Sequence, residues 1–181
     1  MADDGAGLDV AQLVAEHHQA VYRYAYRLTG SVPDAEDLSQ QVFLVAQEKL
    51  AQLRKAANAR SWLFAILRNC FLKARQRRRP VAIANLQLNV DLMPAEVPKD
   101  EDIDRERLQE ALNELSDGFR VVLVMFYFED CSYREIAAEL DLPIGTVMSR
   151  LARAKGYLRS KLLQQDSCKT PRAQPSSTQQ G

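Results

Sequence analysis

Apolar residues recur three and four positions apart from Leu8 to Arg79 with no extended period-2 alternation, so this part of the chain reads as helix. A first helix, over about 8–29, places Val14, Val21, Ala25 and Leu28 on one stripe and ends at Gly30. A second starts near Pro33, a good first-turn residue, and turns Leu38, Val42 and Val45 inward. Its first turn carries Asp34, Glu36 and Asp37, where the helix dipole favours acids. A third, over about 61–77, has Leu63, Ile66, Leu67 and Cys70 as its apolar face. These three make one small bundle.

Between Pro80 and Asp104 the periodicity fails, Pro94 and Pro98 interrupt the chain, and Asp100-Glu101-Asp102 forms a solvated acidic run. A second helical block follows, with Leu108, Leu112 and Leu115 at helical spacing, a break at Asp117-Gly118, and Phe119, Val122, Leu123 and Phe126 on the next helix. The residues from Ser167 onward are rich in Ser, Thr, Gln and Pro and read as disordered. The expected fold is all-α: two small helical domains, 8–79 and 105–166, joined by a flexible linker over 80–104, with a tail over 167–181.

The sharpest local pattern lies between Ser132 and Leu151. Ser132 and Glu135 have capping-box spacing, each able to satisfy a backbone N–H that the helix start leaves unpaired. Ile136 and Leu140 follow one turn apart, and Ala137 is small enough for a second helix to cross closely. After a short turn Pro143 opens another helix, with Val147, Leu151, Ala154, Leu158 and Leu162 inward and Ser149, Arg150, Arg153, Lys155, Arg159 and Lys161 on its other faces. That layout matches a helix-turn-helix, in which the second helix enters the major groove and flanking cations hold phosphates. An ordinary helical hairpin with a basic face is the alternative. Asp141 stands where such turns usually carry Gly, and reaches a left-handed conformation at some cost.

Charge sharpens this picture. The 181 residues hold 24 Lys+Arg and 24 Asp+Glu, a net charge of zero, which on its own gives no basic signature. Residues 1–50 nevertheless carry 3 basic and 8 acidic side chains, 51–90 carry 9 and none, 91–130 carry 4 and 12, and 131–181 carry 8 and 4. A local basic field attracts phosphate whatever the rest of the molecule carries. The acid-free stretch sets Arg54, Lys55, Arg60, Arg68, Lys73, Arg75, Arg77, Arg78 and Arg79 among Trp62, Phe64, Phe71, Asn58 and Asn69. Cations beside aromatics and amides suit single-stranded or melted nucleic acid, although Trp62 and Phe64 can equally be core residues.

Other classes find little support. No apolar run is long enough to span a bilayer, and Met1 to Gly5 lacks the positive flank and apolar stretch of a signal peptide, so a cytoplasmic location is expected. Cys70, Cys131 and Cys168 are odd in number and far apart, fitting neither a disulfide framework nor zinc, and read as reduced thiols. His17 and His18 are about 100° apart on a helix and cannot share a metal, and no nucleophilic triad or phosphate loop is present. No metal, cofactor or enzymatic activity is expected.

Over roughly residues 10–165 the sequence resembles the extracytoplasmic-function group of bacterial sigma factors. Tyr22 to Gly30 with Ala35 to Phe43 is similar to the segment that docks on the clamp helices of RNA polymerase. Trp62 to Asn69 is like the promoter-melting segment, and Gly145 to Lys155 like the reader of the −35 element. The resemblance implies that Asp37, Gln40 and Gln41 contact polymerase, with Gln41 lacking the acid common there. It implies that the loop from Lys55 to Ser61, Asn58 included, holds a flipped −10 base. It assigns Arg60, Trp62, Arg68, Asn69 and Arg75 to the opened strand, and notes Lys73 where the family often has Asp. In the reader, Ser149, Ala152 and Arg153 would face bases and Arg150 and Lys155 phosphates, with Arg134 and Thr146 alongside. Met148 stands where the group usually has Lys or Arg, so direct readout loses one hydrogen-bonding position and DNA shape carries more of the specificity.

The implied partners are core RNA polymerase, promoter DNA and a separate anti-sigma factor, and the implied function is initiation at −10 and −35 elements. A stand-alone helix-turn-helix regulator is the alternative; it would need a ligand pocket or dimer surface, whereas residues 8–79 devote their distinctive side chains to cations and exposed amides.

Overall fold

The computed structural model describes residues 9–78 and 105–167, excepting the side chains of 77, 78 and 164–167; the expected linker and nearly all of the tail lie outside the described residues. Helix α1, Val10–Thr29, starts on a capping box between Asp9 and Gln12 and ends at Gly30 in the left-handed region, φ 70°. Its buried face is Leu13, Val21, Tyr24, Ala25 and Leu28. Val14, expected on that stripe, is half-buried on its flank, because the stripe runs through Leu13 instead. Helix α2, Val32–Glu48, is capped by Ser31, with Pro33 in its first turn. Two single 3₁₀ turns, Leu50–Gln52 and Ala56–Asn58, then lead into α3, Ala59–Arg78.

The second unit holds α4, Arg105–Glu114; α5, Asp117–Phe128; α6, Tyr133–Leu140; and α7, Ile144–Ser167. The break expected at Asp117-Gly118 falls earlier. Ser116 is the extended residue before α5, and Asp117 and Gly118 form its first turn, where an acid suits the helix dipole. Phe119, Phe126 and Leu158 are only half-buried at the core's margin, with Leu162 also partly exposed; Val121 to Met125 form the buried centre of α5.

The two helical units are packed on each other through one continuous hydrophobic cluster, which α1, α2 and α3 share with α4 to α7. Helix α1 touches both α4 and α5. Gly30 faces α4: a Cβ built there would lie 1.9 Å from Asn113 Oδ1, so that side chain would have to swing aside. A residue without a side chain suits both this contact and the left-handed cap.

Candidate nucleic-acid interface

The helix-turn-helix is built as its sequence demands. Glu135 accepts from the Ser132 backbone N–H at 2.7 Å, and Ser132 Oγ accepts from the Glu135 N–H at 3.3 Å, closing the capping box. Asp141 ends α6 with φ 50° and ψ 51°, so the left-handed turn is made despite its Cβ. The N–H of Leu142 donates to the Ala137 carbonyl at 2.9 Å. Ile136, Val147, Leu151 and Ala154 are buried, which holds α6 against α7.

This packing leaves Met148, Ser149, Ala152 and Arg153 exposed on α7, and Arg134 exposed on α6; Met148 keeps 51% of its surface open. Ser149 Oγ donates to the Thr146 carbonyl at 3.0 Å, and Thr146 is half-buried. Arg150 folds its guanidinium toward the start of α5, where a Cβ on Gly118 would come within 3.3 Å of it. The Lys155 ammonium lies 4.5 Å from the Phe126 ring centroid and 5.2 Å from that of Tyr127, a cation–π arrangement that holds it against the end of α5.

In the basic segment Lys55, Asn58, Arg60 and Asn69 are exposed and Trp62 is half-buried. Ser61 Oγ donates to the Asn58 carbonyl at 3.0 Å, fixing the turn that presents Asn58. Phe64 and Phe71 are core residues, and Arg60 and Arg75 each lie 5.3 Å from one of those rings. Trp62 and Asn69, seven apart, share a face of α3. Arg68 points elsewhere. It is 4% exposed, and its Nη1 donates to both oxygens of Glu129 at 2.6 Å while Nη2 donates to Glu139 at 2.9 Å. The Tyr24 hydroxyl also donates to Glu129, and its ring stacks on Phe64 at 4.7 Å. Burial, and then the Glu129 charge, raise the Tyr24 pKa well above its ordinary value, so at neutral pH it is a donor. Arg75 Nε lies 3.7 Å from Asp117.

On α2, Asp37, Gln40 and Gln41 are exposed, and Leu44 stands beside them one turn on with 62% of its surface open. Leu44 falls outside the 38, 42, 45 stripe, which is the sequence signal for an outward apolar residue. The groups between the units were missed by local periodicity: Tyr24, Glu129, Glu139, Gln109 and Arg120. Only Arg120, a lone cation inside an apolar helix, stood out in principle. Among the described residues, no cluster of His, Cys, Asp and Glu could hold a metal. His18 stacks its ring near Tyr22 and Phe43 at 6.5 and 6.2 Å. Among the described residues, no helix is long and apolar enough to cross a membrane.

The Sigma-70 region 2 family matches residues 13–81, and the Sigma-70 region 4 family matches residues 105–158. The chain is 37% identical over 161 residues to the ECF RNA polymerase sigma factor SigE of Mycolicibacterium smegmatis, covering 86% of this chain and 62% of that protein's length. It is 35% identical over 156 residues to the ECF RNA polymerase sigma factor SigL of Mycobacterium tuberculosis, covering 83% of this chain and 86% of that one. The sigma factor RpoE of Bartonella quintana, solved in complex with the anti-sigma factor NepR, superposes with a TM-score of 0.62 at 30% identity, over 86% of this chain and 97% of RpoE.

Proposed function

The chain belongs to the extracytoplasmic-function sigma factors of the sigma-70 family, and from that premise we propose that it directs core RNA polymerase to promoters. In this reading Asp37, Gln40 and Gln41 dock on polymerase, and Lys55, Asn58, Arg60, Trp62, Asn69 and Arg75, with Arg68 once released, hold the opened −10 strand. Met148, Ser149, Ala152 and Arg153 face the −35 bases, flanked by Arg134, Thr146, Arg150 and Lys155. The observation that carries it is the pairing, in one chain and in family order, of an acid-free aromatic-cation helix with a helix-turn-helix whose second helix keeps its first turns open. The protein acts by binding, with no catalysis of its own, in the cytoplasm. RpoE is held by an anti-sigma factor in its solved complex, which supports a partner of that kind here.

The decisive experiment is in vitro transcription with core polymerase and a promoter library. Specific start sites that appear only with the protein present, and are lost on Asp37→Ala, are the expected result. Tight binding to duplex promoter by the protein alone, without polymerase-dependent initiation, would favour the stand-alone regulator.

A further inference from the structure

Two cations on one face of α3 are engaged by acids of the other helical unit. Arg68 meets Glu129, just beyond the C-terminus of α5, and Glu139 on α6; Arg75, seven residues on, meets Asp117 at the start of α5. The first contact is dry on both sides, with Arg68 and Glu129 side chains 5% and 6% exposed. Glu129 receives Arg68 Nη1 on both of its oxygens as well as the Tyr24 hydroxyl, which leaves its carboxylate well partnered, while Nη2 turns to Glu139. The two guanidinium nitrogens thus each meet an anionic oxygen group, and the charge-assisted N–H···O bonds they make to carboxylates are of the kind they make to phosphate oxygens. Among the described side chains, the other cations of the segment, Arg54, Lys55, Arg60 and Lys73, are exposed and make no such contact with the second unit.

We infer that the free chain inhibits itself: Glu129 and Glu139 stand in for strand phosphate at Arg68, so that docking of the second helical unit removes this cation from the −10 surface until the units part. The inference rests on the proposed role of α3 in holding the opened strand. It differs from masking by a separate protein, because the occluding groups belong to the same chain. Several further interdomain bonds hold the closed state. Gln109 Nε2 donates to the Tyr26 carbonyl at 3.2 Å, Arg27 Nη1 donates to Gln109 Oε1 at 3.1 Å, and Arg120 donates to the Leu28 carbonyl. The contacts sit at the end of α1, so parting the units uncaps α1 and frees Arg68 together.

The test uses the full chain and a fluorescent single-stranded DNA 12-mer of mixed sequence, with binding read by anisotropy and compactness by small-angle X-ray scattering. Glu129→Gln/Glu139→Gln should expand the chain and raise affinity for the 12-mer at least tenfold; adding Arg68→Ala should remove that gain while the chain stays expanded. Expansion without a gain, a gain that survives Arg68→Ala, or no expansion at all would each overturn the inference. Should circular dichroism show the double variant unfolded, Glu139→Gln alone serves, because that side chain is 50% exposed and the buried contact to Glu129 is kept. It should raise affinity about threefold, and an affinity within experimental error of the parent would refute the self-inhibition. The readout needs no polymerase. Failure of the parent chain to initiate at any promoter would therefore count against the proposed function, whatever the 12-mer shows.

Discussion

Arg120 of α5 donates to the backbone carbonyl of Leu28, ninety-two residues earlier, at the open end of α1. The last carbonyls of a helix have no partner within it and carry the negative end of its dipole, so a buried cation there satisfies both needs. The same guanidinium donates to the carbonyls of Asn113 and Leu115 at 2.8 Å each, tying the end of α4 to the end of α1. Arg120→Ala should destabilise the chain by about 3 kcal/mol, since buried acceptors left unpaired cost about 1–3 kcal/mol each and the losses overlap. Arg120→Lys should recover less than half, because an ammonium cannot fork to carbonyls in different directions. Urea unfolding checks both; a loss below about 1 kcal/mol for Ala would show that water replaces the guanidinium without penalty.

Gly30 supports the same junction by having no side chain. Gly30→Ala should cost about 2 kcal/mol, part from a left-handed φ of 70° and part from displacing Asn113, whose Oδ1 would lie 1.9 Å from the new Cβ. Asn113→Gly should relieve the second part and leave the first. Thermal unfolding of the two single variants and the double then yields a coupling term. A coupling near zero would show that the exposed Asn113 side chain moves aside without cost.

The elements themselves were legible because each carries a local rule: period 3.6, a capping box at Ser132, Pro33 in a first turn, Gly30 after a last one. Even the left-handed Asp141 was visible as a tension between the turn and its residue. What the pattern could not give is the joining of the two bundles. Tyr24, Arg68, Glu129 and Glu139 are far apart in sequence, and a buried ion pair looks, residue by residue, like surface charge. Arg68 was therefore grouped with the cations around it, although its neighbours on the next turns, Phe64 and Phe71, are core. The misplaced break at Asp117-Gly118 has a simpler origin: Asp and Gly favour turns, and an acid equally favours a helix start.

Met148 opens a prediction about promoter reading. It is exposed on α7 between Val147, which is buried, and Ser149, which is not. A thioether offers no hydrogen-bond donor, whereas Arg or Lys on guanine supplies about 1–3 kcal/mol of discrimination. Met148→Ala should therefore change discrimination among −35 variants by less than about 0.5 kcal/mol, and Arg153→Ala by about 1–3 kcal/mol at one base. Transcription from single-base −35 mutants separates them, and equal penalties at the two positions would refute the assignment.

Cys131 lies beside the capping box and beside Glu129, and its thiol is pushed up from 9.0 to about 11, by burial first and by the Glu129 charge second. Only the thiolate is a nucleophile, so at pH 8 its alkylation should run roughly 100-fold slower than that of an unshifted thiol. In a Cys168→Ser chain, where Cys70 is buried and likewise shifted upward, iodoacetamide labelling should stay slow until the pH exceeds about 10. Glu129→Gln should speed it, by removing the repulsion and by loosening the junction. The sign for stability follows from the direction of the shift. Cys131 and Tyr24 both hold their protons more tightly when folded, so their contribution is complete below pH 9 and falls as the pH rises through their folded values. Stability measured by urea should therefore decline above pH 9, and Tyr24→Phe should flatten that decline while lowering stability at pH 7 by about 1–2 kcal/mol through the lost bond to Glu129. A Tyr24→Phe chain with an unchanged alkaline slope would show that this phenol does not couple to folding.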